Sequence, residues 1–246
     1  MKALVFSAGL GERMRPLTDT TPKPLLEVGG QPLIVWHLRK LAAMGITEVV
    51  INLSWLAERF PQVLGDGSAF GVRIAWSHEG AVPLETGGGM LQALPLLGNA
   101  PFLAVNGDVW TDFDFATLPQ EPAGEAHLVM IDNPPHHPRG DFHFDDAGLL
   151  RPRSDSAANF TYSGIGVYRA SILRDWHKVF ESSTSPGLDG QPPRFPLAPL
   201  LREAMRRNAV SGQHHGGRWT DVGTPQRLAE LDAQLAAETG HTPDPS

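Results

Sequence analysis

Residues 7–18 read SAGLGERMRPLT and lead on to Pro22-Lys23-Pro24, and this glycine-rich segment is the most informative part of the chain. It directly follows the apolar run Ala3–Phe6, which has the character of a buried parallel strand. Glycines after such a strand let backbone amides approach phosphate oxygens closely. We therefore expect Gly9 and Gly11 to form a phosphate-binding loop.

Two cations stand close to this loop in the sequence. Arg13 offers a planar fork of donors that suits a pyrophosphate, and Lys23 offers a mobile point charge for another phosphoryl oxygen. Phosphoryl-type transfer requires charge neutralisation and in-line positioning. Arg13 and Lys23 are therefore candidate catalytic residues, although a simple glycine turn with surface cations is the plainer alternative.

Two other phosphate-binding motifs fit this segment poorly. A dinucleotide-binding fold would need a third glycine at the position of Met14, and it would need a long helix immediately afterwards. Such a helix is prevented by several prolines, namely Pro16, Pro22, Pro24 and Pro32. No Gly-Lys-Ser/Thr follows at the spacing of a P-loop.

The whole segment resembles the signature of the sugar-1-phosphate nucleotidyltransferases, also called nucleoside-diphosphate-sugar pyrophosphorylases. The usual opening of that family is Ala-Ala-Gly-x-Gly-Thr-Arg-Leu, and this chain reads SAGLGERM with both glycines and the arginine retained. The resemblance extends from Met1 to the helix that follows Pro225. It implies Mg²⁺-dependent transfer of a nucleotidyl group from a nucleoside triphosphate to a sugar 1-phosphate. It also implies a set of nucleotide-binding residues near the start of the chain, namely Gly9, Gly11, Glu12, Arg13 and Lys23.

Acidic residues follow two later strands. Asp108 comes after the buried run Phe102–Val105, at the carboxyl end where open α/β sheets bind ligands. Asp221 lies in the stretch WTDVGTP, before a predicted helix. A turn-forming role is the alternative for each. By resemblance, both carboxylates bind the catalytic Mg²⁺, Asp108 is catalytic, and Asn106 and Asp221 contact substrate.

Other residues are candidates for recognising the base and the sugar. Residues 83–89 read PLETGGG and precede a predicted short helix over Leu91–Leu94, and the family resemblance makes Gly88 the candidate on the nucleotide side. A flexible helix-capping loop is the alternative. By the same resemblance Glu79 and Asp141 bind the sugar, because carboxylates accept charge-assisted hydrogen bonds from hydroxyl groups. For Asp141, an ordinary turn is the alternative.

Within the family, the sequence is most similar to members that transfer a uridylyl group from UTP to N-acetylmuramate α-1-phosphate, which would serve cell-wall sugar recycling. Two related reactions remain open: guanylyl transfer to mannose 1-phosphate and thymidylyl transfer to glucose 1-phosphate. A sugar-nucleotide sensor without activity also remains open. Retention of Arg13, Lys23, Asp108 and Asp221 together favours an enzyme.

The composition of the chain limits the partners, the cellular compartment and the metal sites that we expect. The net charge of −7 disfavours nucleic acid and anionic lipid as partners, and we expect neither. The absence of cysteine fits a reducing cytoplasm and excludes disulfides and thiolate metal sites. The adjacent pairs His136-His137 and His214-His215 should point to opposite faces of extended backbone, which disfavours zinc.

Alternating strands and helices predict a single Rossmann-like α/β domain over residues 1–237, with a flexible tail over residues 238–246. Its central sheet should be mixed but mostly parallel, with helices on both faces. The predicted helices include Pro32–Met44, Pro199–Arg207 and Pro225–Ala237. Ser182–Pro196 is rich in Ser, Pro and Gly and predicts a surface loop without an assigned role. We expect a monomer.

Overall fold

The computed structural model describes residues 1–180 and 192–239. The strands within these ranges are Lys2–Phe6 (β1), Glu27–Val28 (β2), Gln31–Pro32 (β3), Glu48–Leu53 (β4), Arg73–His78 (β5), Phe102–Asn106 (β6), Val109–Thr111 (β7), Ala126–Ile131 (β8), Phe142–Phe144 (β9), Leu150–Pro152 (β10), Asn159–Tyr168 (β11), Val210–His215 (β12) and Trp219–Asp221 (β13). The α-helices are Leu33–Ala43 (α1), Arg59–Leu64 (α2), Glu85–Leu97 (α3), Trp176–Val179 (α4), Ala198–Arg206 (α5) and Pro225–Thr239 (α6).

Nine strands form the central sheet. Strands β5, β4, β1 and β6 lie side by side and are parallel. Strand β11 runs antiparallel to β6 and also pairs with β8 and β9, while β12 lies parallel to β8. The predicted mixed sheet is confirmed. The strands β5, β4, β1 and β6 pair in parallel, whereas β11 pairs antiparallel with each of its neighbours.

Helices cover both faces of this sheet, as predicted. Alternate residues of β1 point to opposite sides, so Ala3 and Val5 join one buried cluster and Leu4 joins another. The first cluster takes its helical residues from α1 and α2, and the second takes them from α3 and α5. Because β1 has helices on both sides, its sequence is a continuous apolar run rather than an alternating one.

A smaller apolar cluster attaches the last helix to the start of the chain. Leu231 and Leu235 of α6 pack with Met14 of the glycine-rich segment and with Val28 and Leu33. The Gly29 amide donates a 2.7 Å hydrogen bond to Asp232 of α6. Helix α6 therefore supports the segment that was predicted to bind phosphate.

The predicted helix over Pro32–Met44 is confirmed as α1. Pro32 is its N-terminal cap, and Gly45 follows the C-terminal cap Met44 with φ of +80°. That angle is unfavourable for residues with a side chain, which explains why a glycine follows the helix here. No helix in the described ranges is both long enough and apolar enough to cross a membrane.

Leu91–Leu94, predicted to be part of a short helix, lie within α3, which is longer than expected. Helix α3 begins at Glu85, so the three glycines lie in its first turns instead of preceding it. The predicted loop over Ser182–Pro196 lies partly outside the described residues, because only 192–196 are described. Within these, Pro192 and Arg194 are exposed, as expected of a surface loop, whereas Phe195 is buried and packs on α3.

Candidate active site

The candidate site lies at the carboxyl ends of the neighbouring parallel strands β1 and β6. Phe6 pairs with Asn106 at these ends, and the Gly107 amide donates a 2.9 Å hydrogen bond to the carbonyl of Phe6. A Cβ atom on Gly107 would lie only 2.8 Å from that carbonyl oxygen. The glycine therefore lets the two loops approach and brings Asp108 beside the glycine-rich segment.

The glycine-rich segment forms a tight turn after β1. Gly11 has φ of +65°, and its carbonyl accepts hydrogen bonds from the Met14 amide and the Thr18 hydroxyl, both at 2.8 Å. Gly9 is exposed and has open space where a Cβ would project. Its surface therefore leaves room for the close approach of a ligand.

Asp108 lies in the turn immediately before β7, and Asp221 ends the adjacent strand β13. Strands β7 and β13 are antiparallel, and the Val222 amide donates a 2.8 Å hydrogen bond to the carbonyl of Asp108. The Lys23 ammonium forms a short ion pair with Oδ2 of Asp108. The structure thus brings together three predicted site residues that are distant in sequence.

Asp221 is held by two basic groups that the sequence analysis did not predict as site residues. Nη1 of Arg227 donates a 2.7 Å hydrogen bond to Oδ1 of Asp221. Nε2 of His136 lies 2.9 Å from the same oxygen and 2.8 Å from the Arg227 guanidinium. Arg227 stands in the first turns of α6, so this helix orients the carboxylate.

The two aspartates fit a divalent cation in their chemistry and their placement. Both line one cleft, together with Arg13. Each uses one oxygen for a basic neighbour, while Oδ1 of Asp108 and Oδ2 of Asp221 accept no hydrogen bond from the described residues. Mg²⁺ typically takes one or two carboxylates and completes its shell with phosphates and water. Among the described residues, no group of three or more His, Asp or Glu side chains forms a fuller cage.

Three adjoining cavities meet at Asn106. One, of about 210 Å³, is lined by Gly9, Lys23, Glu79 and Asp108. A second, of about 380 Å³, contains Arg13, Asp108 and Asp221. A third, of about 170 Å³, contains Asp141 and Tyr162. Asn106 lines all three, which places this predicted substrate contact at the junction of the cleft.

Glu79 lies in the first cavity but is largely committed to internal contacts. Its side chain is buried and accepts hydrogen bonds from Asn52 at 2.5 Å and from the Leu84 amide at 2.7 Å. Asn52 in turn accepts a hydrogen bond from the Ser7 amide, so the three groups form one network. Burial raises the pKa of this carboxyl, and the two hydrogen bonds oppose that rise. Glu79 therefore supports the wall on which the glycine-rich segment rests.

Asp141 lies at the edge of the third cavity and is half-buried. It accepts hydrogen bonds from the Tyr162 amide at 2.9 Å and from His137 at 3.1 Å. Gly140 precedes it with φ of +61°, and a Cβ there would lie 2.7 Å from Asn133 Oδ1. The glycine turn and the two donors fix the carboxylate toward the cavity.

Three predicted nucleotide-binding residues do not line these cavities, namely Gly11, Glu12 and Gly88. Glu12 is exposed in a short 3₁₀ turn. Gly88 is buried, its amide donates to the Phe195 carbonyl, and a Cβ on it would overlap the carbonyl oxygen of Pro193. The space beside the three glycines is therefore filled by the protein itself, which leaves no room for a nucleotide directly against Gly88. Glu85 and Thr86, at the start of α3, line the cavity instead.

The histidine pairs differ in their geometry. His214 and His215 are consecutive on β12 and reach Asp132 and Asp112 respectively, as expected of opposite faces. His136 and His137 lie at a turn, and both line the cleft. The assumption of extended backbone was therefore wrong for the first pair. A proline on each side, at 135 and 138, was the available signal of a turn.

A family model for nucleotidyl transferases matches residues 2–238. The chain belongs to the nucleotidyl transferase family. This nucleotidyltransferase is 50% identical over 242 residues to the N-acetylmuramate alpha-1-phosphate uridylyltransferase of Neisseria meningitidis serogroup B, covering 96% of this chain and 99% of the relative. It is 32% identical to the enzyme of the same name from Caulobacter vibrioides, covering 95% and 96%.

More distant comparisons agree with this family. A mannose-1-phosphate guanyltransferase of Aspergillus fumigatus is 29% identical over 92% of this chain and 62% of the relative. A crystal structure from Bacillus anthracis, assigned as a glucose-1-phosphate thymidylyltransferase and solved with sucrose, superposes with a TM-score of 0.80. That match covers 96% of this nucleotidyltransferase and 95% of the other chain at 20% identity, and it supports the fold alone.

Proposed function

We propose that the protein transfers a uridylyl group from UTP to N-acetylmuramate α-1-phosphate, giving UDP-N-acetylmuramate and pyrophosphate. The observation that carries the reaction class is the common cleft of Arg13, Asp108 and Asp221, with Lys23 paired to Asp108. The choice of substrates rests on the Neisseria meningitidis relative, whose identity of 50% spans nearly the whole of both chains.

The reaction needs two polyanions to be held together despite their repulsion. Arg13 and Lys23 would neutralise phosphate charge, and the amides of the glycine-rich segment would donate hydrogen bonds to phosphate oxygens. Asp108 and Asp221 would hold Mg²⁺, which supplies charge neutralisation at the reacting phosphates when bound. The phosphate oxygen of the sugar phosphate is already anionic near neutral pH, so it requires no protein base to attack the α-phosphorus.

Gly9, Gly11 and Lys23 would bind the triphosphate, while Asn106 and Asp141 would contact the sugar phosphate. For Glu79, Glu12 and Gly88 the proposed contributions are indirect, because Glu79 and Gly88 are engaged inside the protein and Glu12 lies outside the cavities. We also propose that the protein acts as a monomer in the cytoplasm and contributes to the recycling of cell-wall sugars.

The function is tested by measuring pyrophosphate release with Mg²⁺, each nucleoside triphosphate and a panel of sugar 1-phosphates. We expect release with UTP and N-acetylmuramate 1-phosphate. Preferential release with GTP and mannose 1-phosphate, or with dTTP and glucose 1-phosphate, would reassign the substrates. No release with any pair would indicate a sugar-nucleotide sensor.

Replacing one metal-binding carboxylate tests the site itself. Asp108→Asn should lower kcat at saturating Mg²⁺ by about 100-fold or more, because it removes one of the two carboxylates that would hold Mg²⁺ at the reacting phosphates. Asp112→Asn is the matched control, since Asp112 is four residues further along the chain and pairs with His215 outside the cleft. Unchanged turnover of the Asp108→Asn enzyme would refute the metal assignment.

A further inference from the structure

The third cavity is lined by a positively charged side chain, Arg202, whose role is not explained by the transfer of phosphate. Its wall includes Asp141 and Phe142, and Arg202 from α5 completes it. It shares Thr86 and Asn106 with the cavity that contains Lys23 and Asp108, but neither of those two residues lines it. A sugar phosphate with its phosphate near Asp108 would therefore extend its ring and ring substituents toward Arg202.

Arg202 is the only basic residue among those lining this cavity in the described part of the chain. Ala198 stands one turn earlier on the same face of α5 and lines the same cavity. Arg202 is exposed, and it also lines a neighbouring cavity that contains Lys178 and Arg206. No carboxylate of the described residues lies within 4.0 Å of its guanidinium. By contrast, Arg206 and Arg207 on the following turn pair with Glu203 and Glu125.

This position matches a chemical difference between the proposed acceptor and ordinary hexose phosphates. N-acetylmuramate carries a lactyl ether at C3 with a free carboxylate, which N-acetylglucosamine lacks. Arginine binds carboxylates through two parallel hydrogen bonds, and its planar fork gives the contact directionality. We propose that Arg202 binds the lactyl carboxylate and gives the enzyme its selectivity for an acidic sugar.

The selectivity arises from the attraction between Arg202 and the lactyl carboxylate. A neutral sugar offers no such partner, so Arg202 then stays in contact with water. Asp141 lines the same cavity, and its two oxygens accept hydrogen bonds from His137 and the Tyr162 amide, so the lactyl carboxylate would lie on the α5 side of the cavity, beside Arg202. Arg202 is a binding residue distant from the reacting phosphorus. Its loss should therefore raise the KM for the acidic sugar phosphate more than it lowers kcat.

The experiment compares wild-type enzyme with Arg202→Gln, using UTP and either N-acetylmuramate 1-phosphate or N-acetylglucosamine 1-phosphate. We expect the ratio of the two kcat/KM values to fall by about 10- to 100-fold, the range for a charge-assisted hydrogen-bonded pair. Arg202→Lys should recover part of this ratio. Arg206→Gln is the matched control, because it removes the same charge from the same helix, and Arg206 does not line the third cavity.

A modified substrate supplies a second, independent measurement. Methyl esterification of the lactyl group removes its charge, so it should raise the KM of the wild-type enzyme and have little effect on Arg202→Gln. This comparison of ligand and residue changes separates direct contact from a general loss of folding.

The inference depends on the proposed function, and the two can fail separately. A wild-type enzyme without activity on N-acetylmuramate 1-phosphate would overturn the proposed function and this inference together. A wild-type enzyme that prefers the muramyl substrate, with an Arg202→Gln variant of unchanged preference, would overturn only the role of Arg202. Equal losses of kcat/KM on both sugar phosphates in Arg202→Gln would also overturn only the role of Arg202. Equal sensitivity of the wild type and Arg202→Gln to the methyl ester would have the same consequence.

Discussion

His37 is enclosed in the protein, with 1% of its surface exposed, and its Nε2 lies 2.7 Å from the carbonyl oxygen of Val109. Its Nδ1 has no hydrogen-bond partner among the described residues. Burial lowers the pKa of His37 from 6.5 to about 4. Protonation would place a second, unpaired N–H in the interior, so the neutral Nε2–H form is the stable one.

This pKa makes His37 a source of acid sensitivity. Between pH 6.5 and 4 the unfolded chain binds a proton that the folded chain does not, so stability is complete above pH 6.5 and decreases as the pH falls toward 4. The loss should approach about 3 kcal/mol at pH 4. Urea unfolding across this range should show a shallower decline for His37→Gln than for the wild type. His78→Gln, which changes an exposed histidine, is the control and should lose stability with falling pH as steeply as the wild type. An equally steep loss for His37→Gln and the wild type would contradict the assignment.

Individual site residues differed in how far the sequence could identify them. Arg13, Lys23 and Asp108 belong to local motifs whose chemistry is evident from residue type and spacing. Asn52 could also have been suggested, because it is the penultimate residue of β4 and pairs with Phe6 at the end of β1, and carboxyl ends of parallel strands meet at one edge. Arg227 and His136 could not, because their approach to Asp221 depends on how α6 and the turn at 134–140 pack.

At the scale of elements, the glycines of α3 serve close packing. A Cβ on Gly87 would lie 2.5 Å from the Phe195 ring, and Cβ atoms on Gly88 and Gly89 would overlap the Pro193 carbonyl and the Glu79 carboxylate. The helix therefore lies against both the extended segment 192–197 and the Glu79 wall, and no side chain fits between them.

Gly88→Ala tests this packing. In an exposed helix, replacing glycine by alanine stabilises by about 1 kcal/mol. Here we expect a loss of about 1–3 kcal/mol in the free energy of unfolding, since the new methyl group must displace backbone. Gln92→Ala, at an exposed position of the same helix, should change stability by less than about 0.5 kcal/mol. A Gly88→Ala protein more stable than the wild type in chemical denaturation would show that the helix has room to adapt.

Elements with local signals were predictable, and those made by distant partners were not. Strand β1 and helix α1 carry apolar patterns and capping residues that identify them. Strand β12 is missing from the prediction, because Val210–His215 is mostly polar and becomes a strand through pairing with β8. The start of α3 was missed because three glycines have low helix propensity, and tertiary packing outweighs that preference.

At the scale of the whole molecule, one sheet carries two apolar clusters on its faces, and a third cluster joins the first and last parts of the chain. The single domain over residues 1–237 remains a prediction, which the family match to 2–238 supports. The class of fold could be derived because alternating strand and helix patterns leave few arrangements. The order of β8, β9 and β12 could not, because it depends on contacts far apart in sequence.

The oligomeric state is a prediction about the whole molecule, and we expect a monomer. With a net charge of −7, copies of the chain repel one another at neutral pH. Sedimentation equilibrium at physiological salt should return a mass near 26.6 kDa that stays constant over a hundredfold range of concentration. A mass that rises toward twice this value with concentration would establish a dimer.

The pairing of β7 with β13 sets Val109 opposite Asp221, across nearly half of the sequence. The cleft therefore takes its acidic groups from the two sides of a long intervening segment. If the backbone were cut within that segment, loss of the later fragment would remove Asp221 and Arg227 together, whereas Asp108 and Lys23 would stay on the earlier one.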